Sequence, residues 1–177
     1  MEIKVLEECG WPWAMLGLSL SYEQSVDEMP QVALKLLPRG GSHLKFLESV
    51  AVWLDVTAAR YWWQQFDTYR VGITKQSGST MHAILRRPLC PADFEGGIES
   101  EILMVLNGLI EKKDFLRVKA NLPEGFLQRR VVCTNYKALR HIIEQRHNHR
   151  LPEWQFFVRQ VLAQVARPEF LRFPVVG

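Results

Sequence analysis

Alternation is plainest at residues 50–56, where Val50, Val52, Leu54 and Val56 interleave with Ala51, Trp53 and Asp55. A period of two puts the aliphatic side chains on one face and predicts a strand with one strongly buried side. Thr57 then stands as the N-cap of a helix running from Ala58 to about Phe66. From Ile98 to Lys112 the spacing changes to that of a helix, with Ile98, Ile102, Val105, Leu106 and Leu109 in register and Lys112 and Lys113 where cations suit the dipole. Asn135 is a good helix N-cap, and the stripe Tyr136, Leu139, Ile142 and Ile143 after it places Arg146 just past the apolar run. Proline opens two more helices, Pro30 to Leu37 and Pro152 through Val165, which stop at Pro38 and before Pro168. Ile3, Val5 and Leu6 suggest a first strand, Gly10-Trp11-Pro12 punctuates, and Trp13 to Leu20 is an apolar helix or strand. Leu116 to Lys119 and Arg130 to Cys133 read as extended segments. Helices mixed with a few strands predict an α+β fold on a small mixed or antiparallel sheet packed with helices.

Composition narrows the class. The 177 residues suffice for one well-buried core, so a single domain over 1–177 is expected. A formal charge of +3 is too small to argue for nucleic acid, and none is expected as a partner. Basic residues nevertheless bunch at Arg86-Arg87, Arg129-Arg130 and Arg146 to Arg150, and the last of these suits a small anion because its like charges repel unless something negative sits nearby. Cys9, Cys90 and Cys133 are odd in number and far apart, without zinc-ligand spacing, so a reducing compartment and no metal are expected. The first residues lack the pattern of a signal peptide and no run is long enough to span a bilayer, so a cytoplasmic protein without membrane contact is expected.

The richest polar tract follows the predicted helix. Between Trp62 and Ser79, Arg70 and Lys75 bring cations, Gln65, Thr74, Gln76, Ser77 and Ser79 bring neutral hydrogen-bonding groups, and Gly78 allows close backbone approach. Such density argues for a bound ligand. Trp62 and Trp63 can stack on a ring, although a tryptophan pair at a helix end is more often core or interface. His82 stands beside this tract, and a structural role outweighs a functional one for it. His149 and Glu153, four apart, suit pairing at a helix start.

These residues resemble those of the flavin-dependent thymidylate synthases, which methylate dUMP with a folate-borne methylene and reduced flavin. Gln65-Phe66-Asp67-Thr68-Tyr69-Arg70 falls on the family's Gln followed by Arg-His-Arg, and Thr74 to Thr80 on its Asn-Glu-x-Ser-Gly-Arg-Tyr. Gly41 to Glu48 resembles its Gly-His-x-Ser-x-x-Glu, Lys119 to Pro123 its Arg-x-x-Leu-Pro, and Asn135-Tyr136-Lys137 its Asn-x-Arg. Several blocks in the right order are more specific than one motif. Thr68, Tyr69, Lys75 and Ser79 depart from the pattern, standing where the family has Arg, His, Glu and Arg.

The resemblance implies a pyrimidine deoxynucleotide held by Gln65, Arg70, Ser77, Gly78, Lys119 and Arg146, with Lys119 and Arg146 as phosphate and base partners and Arg146 as the catalytic, ring-polarising group. On the flavin side it implies His43, Glu48, Tyr69, Val71, Asn135, Lys137 and His141, with FAD as cofactor and folate as one-carbon donor. Thr68 and Tyr69 replace the cationic pair that would hold the cofactor's phosphates, which weakens the flavin side. A homo-oligomer, by resemblance a tetramer, is implied. The alternatives are a nucleotide-binding or sequestering protein without flavin chemistry, and a structural oligomer without ligand.

Overall fold

The predicted alternation runs further than its first seven residues in the computed structural model, which describes residues 1–172. The strand β2 (Ala51–Ala59) keeps Val52, Leu54, Val56 and Ala58 buried, so Thr57 lies within the strand instead of capping a helix. A β-branched residue in a half-buried register suits a strand, and the following helix α3 (Arg60–Phe66) starts after Ala59. The remaining strands are β1 (Glu2–Cys9), β3 (Thr74–Ser77) and β4 (Leu127–Asn135), which with β2 make a small antiparallel sheet ordered β1-β2-β4-β3. The expected α+β class holds.

The helices are α1 (Trp11–Tyr22), α2 (Met29–Leu36), α4 (Thr80–Ala83), α5 (Ser100–Glu111), α6 (Phe115–Asn121), α7 (Tyr136–Arg146) and α8 (Pro152–Gln164). The ambiguous stretch after Gly10 is thus helical. Gly10 caps it at φ 96, and a Cβ there would overlap the Ser49 carbonyl oxygen, so this turn requires glycine. The segment from Leu116 to Lys119 is not extended, because Asp114 accepts a hydrogen bond from the Arg117 amide at 3.2 Å and starts α6. α5 exists as predicted, but only part of its predicted stripe turns inward. Leu106, Leu109 and Ile110 are buried, whereas Ile102 and Val105 are 45% and 61% exposed.

The chain forms two compact units. The first comprises residues 1–2, 56–68 and 76–131. Its core joins Leu106, Leu109 and Ile110 of α5 to Val118 of α6 and to Ile84, Leu89, Phe94 and Leu122. Trp62, Trp63 and Phe66 of α3 are fully buried and pack ring on ring, with centroids 5.0–5.5 Å apart. The tryptophan pair is therefore core.

The second unit comprises residues 3–55, 69–75 and the described chain from Val132 onward. Here α7 buries Tyr136, Leu139, Ile142 and Ile143, the stripe read from the sequence, and α8 buries Trp154, Phe157 and Val161. Asn135 caps α7 as predicted, its Oδ1 accepting from the Ala138 amide at 2.9 Å. Arg146, the last residue of α7, follows that stripe as expected. A run of 3-10 helix, Gly41–Ser49, carries Leu44, Phe46 and Leu47 inward and leaves His43, Lys45 and Glu48 exposed.

Candidate functional site

In the second unit the start of α7 and the loop after Tyr69 enclose a cavity of about 320 Å³ lined by Glu48, Val71, Gly72, Asn135, Lys137, Ala138 and His141. Five of the seven residues assigned to the cofactor side therefore meet in one place. Local structure explains the grouping. Lys137, Ala138 and His141 share one face of α7 by helical spacing, and the Asn135 cap presents its side chain at the helix start. Gly72 has φ 68, and a Cβ on it would come within 2.7 Å of Asn135 Nδ2, so a side chain here would intrude on the capping amide. Lys137 Nζ donates to Glu48 Oε1 at 2.5 Å. Val71 is 90% exposed, an apolar side chain offered to the cavity mouth without covering.

His43 and Tyr69 are not in this lining. His43 borders another cavity of the same unit, about 350 Å³, with Ser42, Lys45, Trp13 and Tyr22. Tyr69 instead meets Arg146. The Arg146 Nε–H donates to the Tyr69 hydroxyl at 2.8 Å, and that hydroxyl donates to Gln145 Oε1 at 2.8 Å. The Arg146 guanidinium also lies 4.8 Å from the centroid of the buried Trp154 ring. Gln145 Nε2 is in turn 3.1 Å from His141 Nε2. Sequence reasoning missed Gln145 and Trp154. The four-residue spacing of His141 and Gln145 was a usable signal, since such pairs are neighbours on a helix surface.

The basic bunch at 146–150 relieves its own repulsion. Burial holds the His149 imidazole below its ordinary pKa, and the charges of Arg146 and Arg150 push it the same way, which favours the neutral ring. The His147 Nδ1–H donates to the Glu144 carbonyl at 2.9 Å.

Within the first unit, Gly78, Ser79 and Thr80 line a cavity of about 220 Å³ with Arg87, Gln128 and Arg129. The Gly78 amide donates to the Arg129 carbonyl at 2.9 Å, and Lys119 Nζ donates to Thr80 Oγ1 at 2.6 Å. Arg87 is held by Asp93 through two hydrogen bonds, and that guanidinium keeps the Asp93 carboxyl below the usual carboxylate range. Ser77 ends the strand β3, and Gln65 lies in the last turn of α3, its carbonyl accepting from Thr68 Oγ1 at 2.7 Å. Gln65, Ser77, Gly78 and Lys119 thus belong to the first unit, while Arg70, exposed, and Arg146 belong to the second. His82 is exposed, its amide donating to the Ser79 hydroxyl that starts α4.

No protein-family model and no curated protein matches the sequence. The fold, however, is shared with solved structures. A flavin-dependent thymidylate synthase ThyX from Helicobacter pylori, complexed with FAD and dUMP, superposes with a TM-score of 0.77 at 15% identity over 97% of this chain and 98% of its own. A second structure of thymidylate synthase X from the same organism, also with FAD and dUMP, gives 0.76 at 14% identity over 97% of each chain. This chain has the α+β fold of those synthases.

Proposed function

We propose that this protein binds a pyrimidine deoxynucleotide of the dUMP type and, with FAD bound, transfers a one-carbon unit to C5 of the base. The observation that carries the reading is the cavity at the start of α7, where Glu48, Val71, Asn135, Lys137 and His141 meet in a chain with the ThyX fold. At about 320 Å³ the cavity is near the lower bound for a small-molecule site, which fits one ring system of the cofactor. Val71 and Ala138 offer apolar contact, while Asn135, Lys137 and His141 offer hydrogen-bonding groups to its edge. Bound flavin would supply the reducing equivalents of the transfer. Arg146 would polarise the base. Folate is the proposed donor. A homo-oligomer, by analogy a tetramer, is part of the reading, and Met104, Val105 and Leu116 of the first unit and Trp13 and Leu20 of the second offer exposed apolar surface for assembly.

A specific observation favours a second reading, a nucleotide binder without flavin chemistry. Thr68 and Tyr69 stand where the resemblance expects cations, and the Tyr69 hydroxyl is engaged by Arg146 and Gln145. Two lost charge-assisted contacts at ~1.5–3 kcal/mol each weaken cofactor binding by about two to four orders of magnitude. Calorimetry with dUMP, with and without FAD, separates the readings. A flavin absorbance band on the purified protein and tighter dUMP binding with FAD support the enzyme. A colourless protein that binds dUMP alike in both conditions supports the binder, and one that binds neither rules out both.

A further inference from the structure

Arg146, Tyr69, Gln145 and His141 form a chain of hydrogen bonds whose direction is fixed by its first donor. Arg146 Nε carries a proton and has no acceptor capacity, so the Tyr69 oxygen must accept at 2.8 Å. The phenol proton then goes to the Gln145 amide oxygen at 2.8 Å. That leaves the amide nitrogen facing His141 Nε2 at 3.1 Å, where the imidazole accepts. All four residues lie in the second unit, and His141 lines the cavity at the start of α7.

The guanidinium is constrained from two sides. Its Nε–H is aimed at Tyr69, and the Trp154 ring covers it at 4.8 Å. Trp154 is fully buried and cannot follow a moving arginine, while Tyr69 is itself held by Gln145 and packs edge-on near the Trp154 and His141 rings. A guanidinium whose orientation is already set loses less entropy when its planar fork meets a planar ligand.

We infer that Tyr69 is a positioning residue: its hydroxyl orients the Arg146 guanidinium for a pyrimidine nucleotide, and Gln145 orients the hydroxyl. This rests on the nucleotide reading above. The residue that stands in place of an expected cofactor contact thus acts on the nucleotide side, through arginine.

The test compares wild type with Tyr69→Phe, which keeps the ring and removes the hydroxyl, the acceptor for Arg146 and the donor to Gln145. Calorimetry with dUMP should show about tenfold weaker binding, the size expected for one hydrogen bond to a charged group. In ¹⁵N spectra the Arg146 Nε–H signal, assigned by its loss in Arg146→Lys, should exchange slowly in wild type and fast in Tyr69→Phe. Gln145→Met, at an exposed position, should shift both readouts the same way by a smaller factor and serves if Tyr69→Phe fails to fold. Arg146→Lys should bind dUMP equally with and without the Tyr69 hydroxyl, because a residue acting through Arg146 has nothing left to orient. Unchanged dUMP affinity in Tyr69→Phe, with wild type binding dUMP, overturns the positioning role and leaves the function standing. Wild type that does not bind dUMP overturns both.

Discussion

Lys137 Nζ and Glu48 Oε1 form an ion pair at 2.5 Å, linking the first turn of α7 to the end of the 3-10 run at the edge of the 320 Å³ cavity. Both side chains are partly exposed, so the pair contributes only about 0–1 kcal/mol to folding. Its value lies in what it holds. Lys137→Met should therefore leave the thermal midpoint nearly unchanged while weakening FAD binding about tenfold in a fluorescence titration. A large drop in midpoint with unaltered FAD affinity would mean that the pair is architectural.

Gly72 and Asn135 should behave as one unit. Gly72→Ala forces a Cβ onto a residue at φ 68 and toward the capping amide, costing roughly 1–3 kcal/mol, and Asn135→Ala removes the cap at about 1 kcal/mol. Since relief of the clash comes with loss of the amide, the double variant should be less destabilised than the sum. Strict additivity in urea unfolding would contradict the contact.

Tyr136 should give the protein an alkaline weakness. Its phenol is fully buried, donates to Glu8 and accepts from the Arg167 amide at 3.2 Å. Burial, reinforced by the Glu8 carboxylate, raises its pKa above the ordinary value of 10.0. The folded state therefore holds this proton more tightly than the unfolded chain, so the stabilisation is full below pH 10.0 and is lost as pH rises from there toward the folded value. Urea unfolding from pH 8 to 11 should show stability falling above pH 10.0, and Tyr136→Phe should start about 1–2 kcal/mol lower and lose less over that span. Parallel curves would count against the assignment.

Trp63 should report on folding and not on ligand. It is fully buried and its indole N–H donates to the Gln128 carbonyl at 2.9 Å. Trp63→Phe leaves that carbonyl without the indole donor and a gap beside Arg130, whose guanidinium sits 4.3 Å from the indole ring, and should cost about 2–3 kcal/mol. Nucleotide affinity measured by calorimetry should stay within twofold of wild type. A loss of affinity in a fully folded variant would restore a ligand role to the tryptophan pair.

Elements whose signal is local were legible in the sequence. The cap and stripe of α7 and the alternation of β2 are each decided by neighbours in the chain, and both are found where expected. Leu116 to Lys119 misled because its one strong cue, Asp114 as cap, precedes a helix that buries only Val118. The exposed Ile102 and Val105 show the limit of periodicity, which reports a stripe but not which part of it meets the core. Of the cofactor-side residues, those clustered on and around α7 share a cavity because a helix fixes their relative positions. His43 borders a different one, because it lies on another side of the 3-10 run from Glu48. Tyr69 carried no visible sign of its partner, because its bond to Arg146 spans 77 residues of chain.

The sense of the bond between Gln145 and His141 fixes the imidazole tautomer. With Nε2 accepting, the neutral ring carries its hydrogen on Nδ1. Whatever meets that second nitrogen meets a donor, so carbonyl or phosphoryl oxygens are welcomed there and amino groups are turned away.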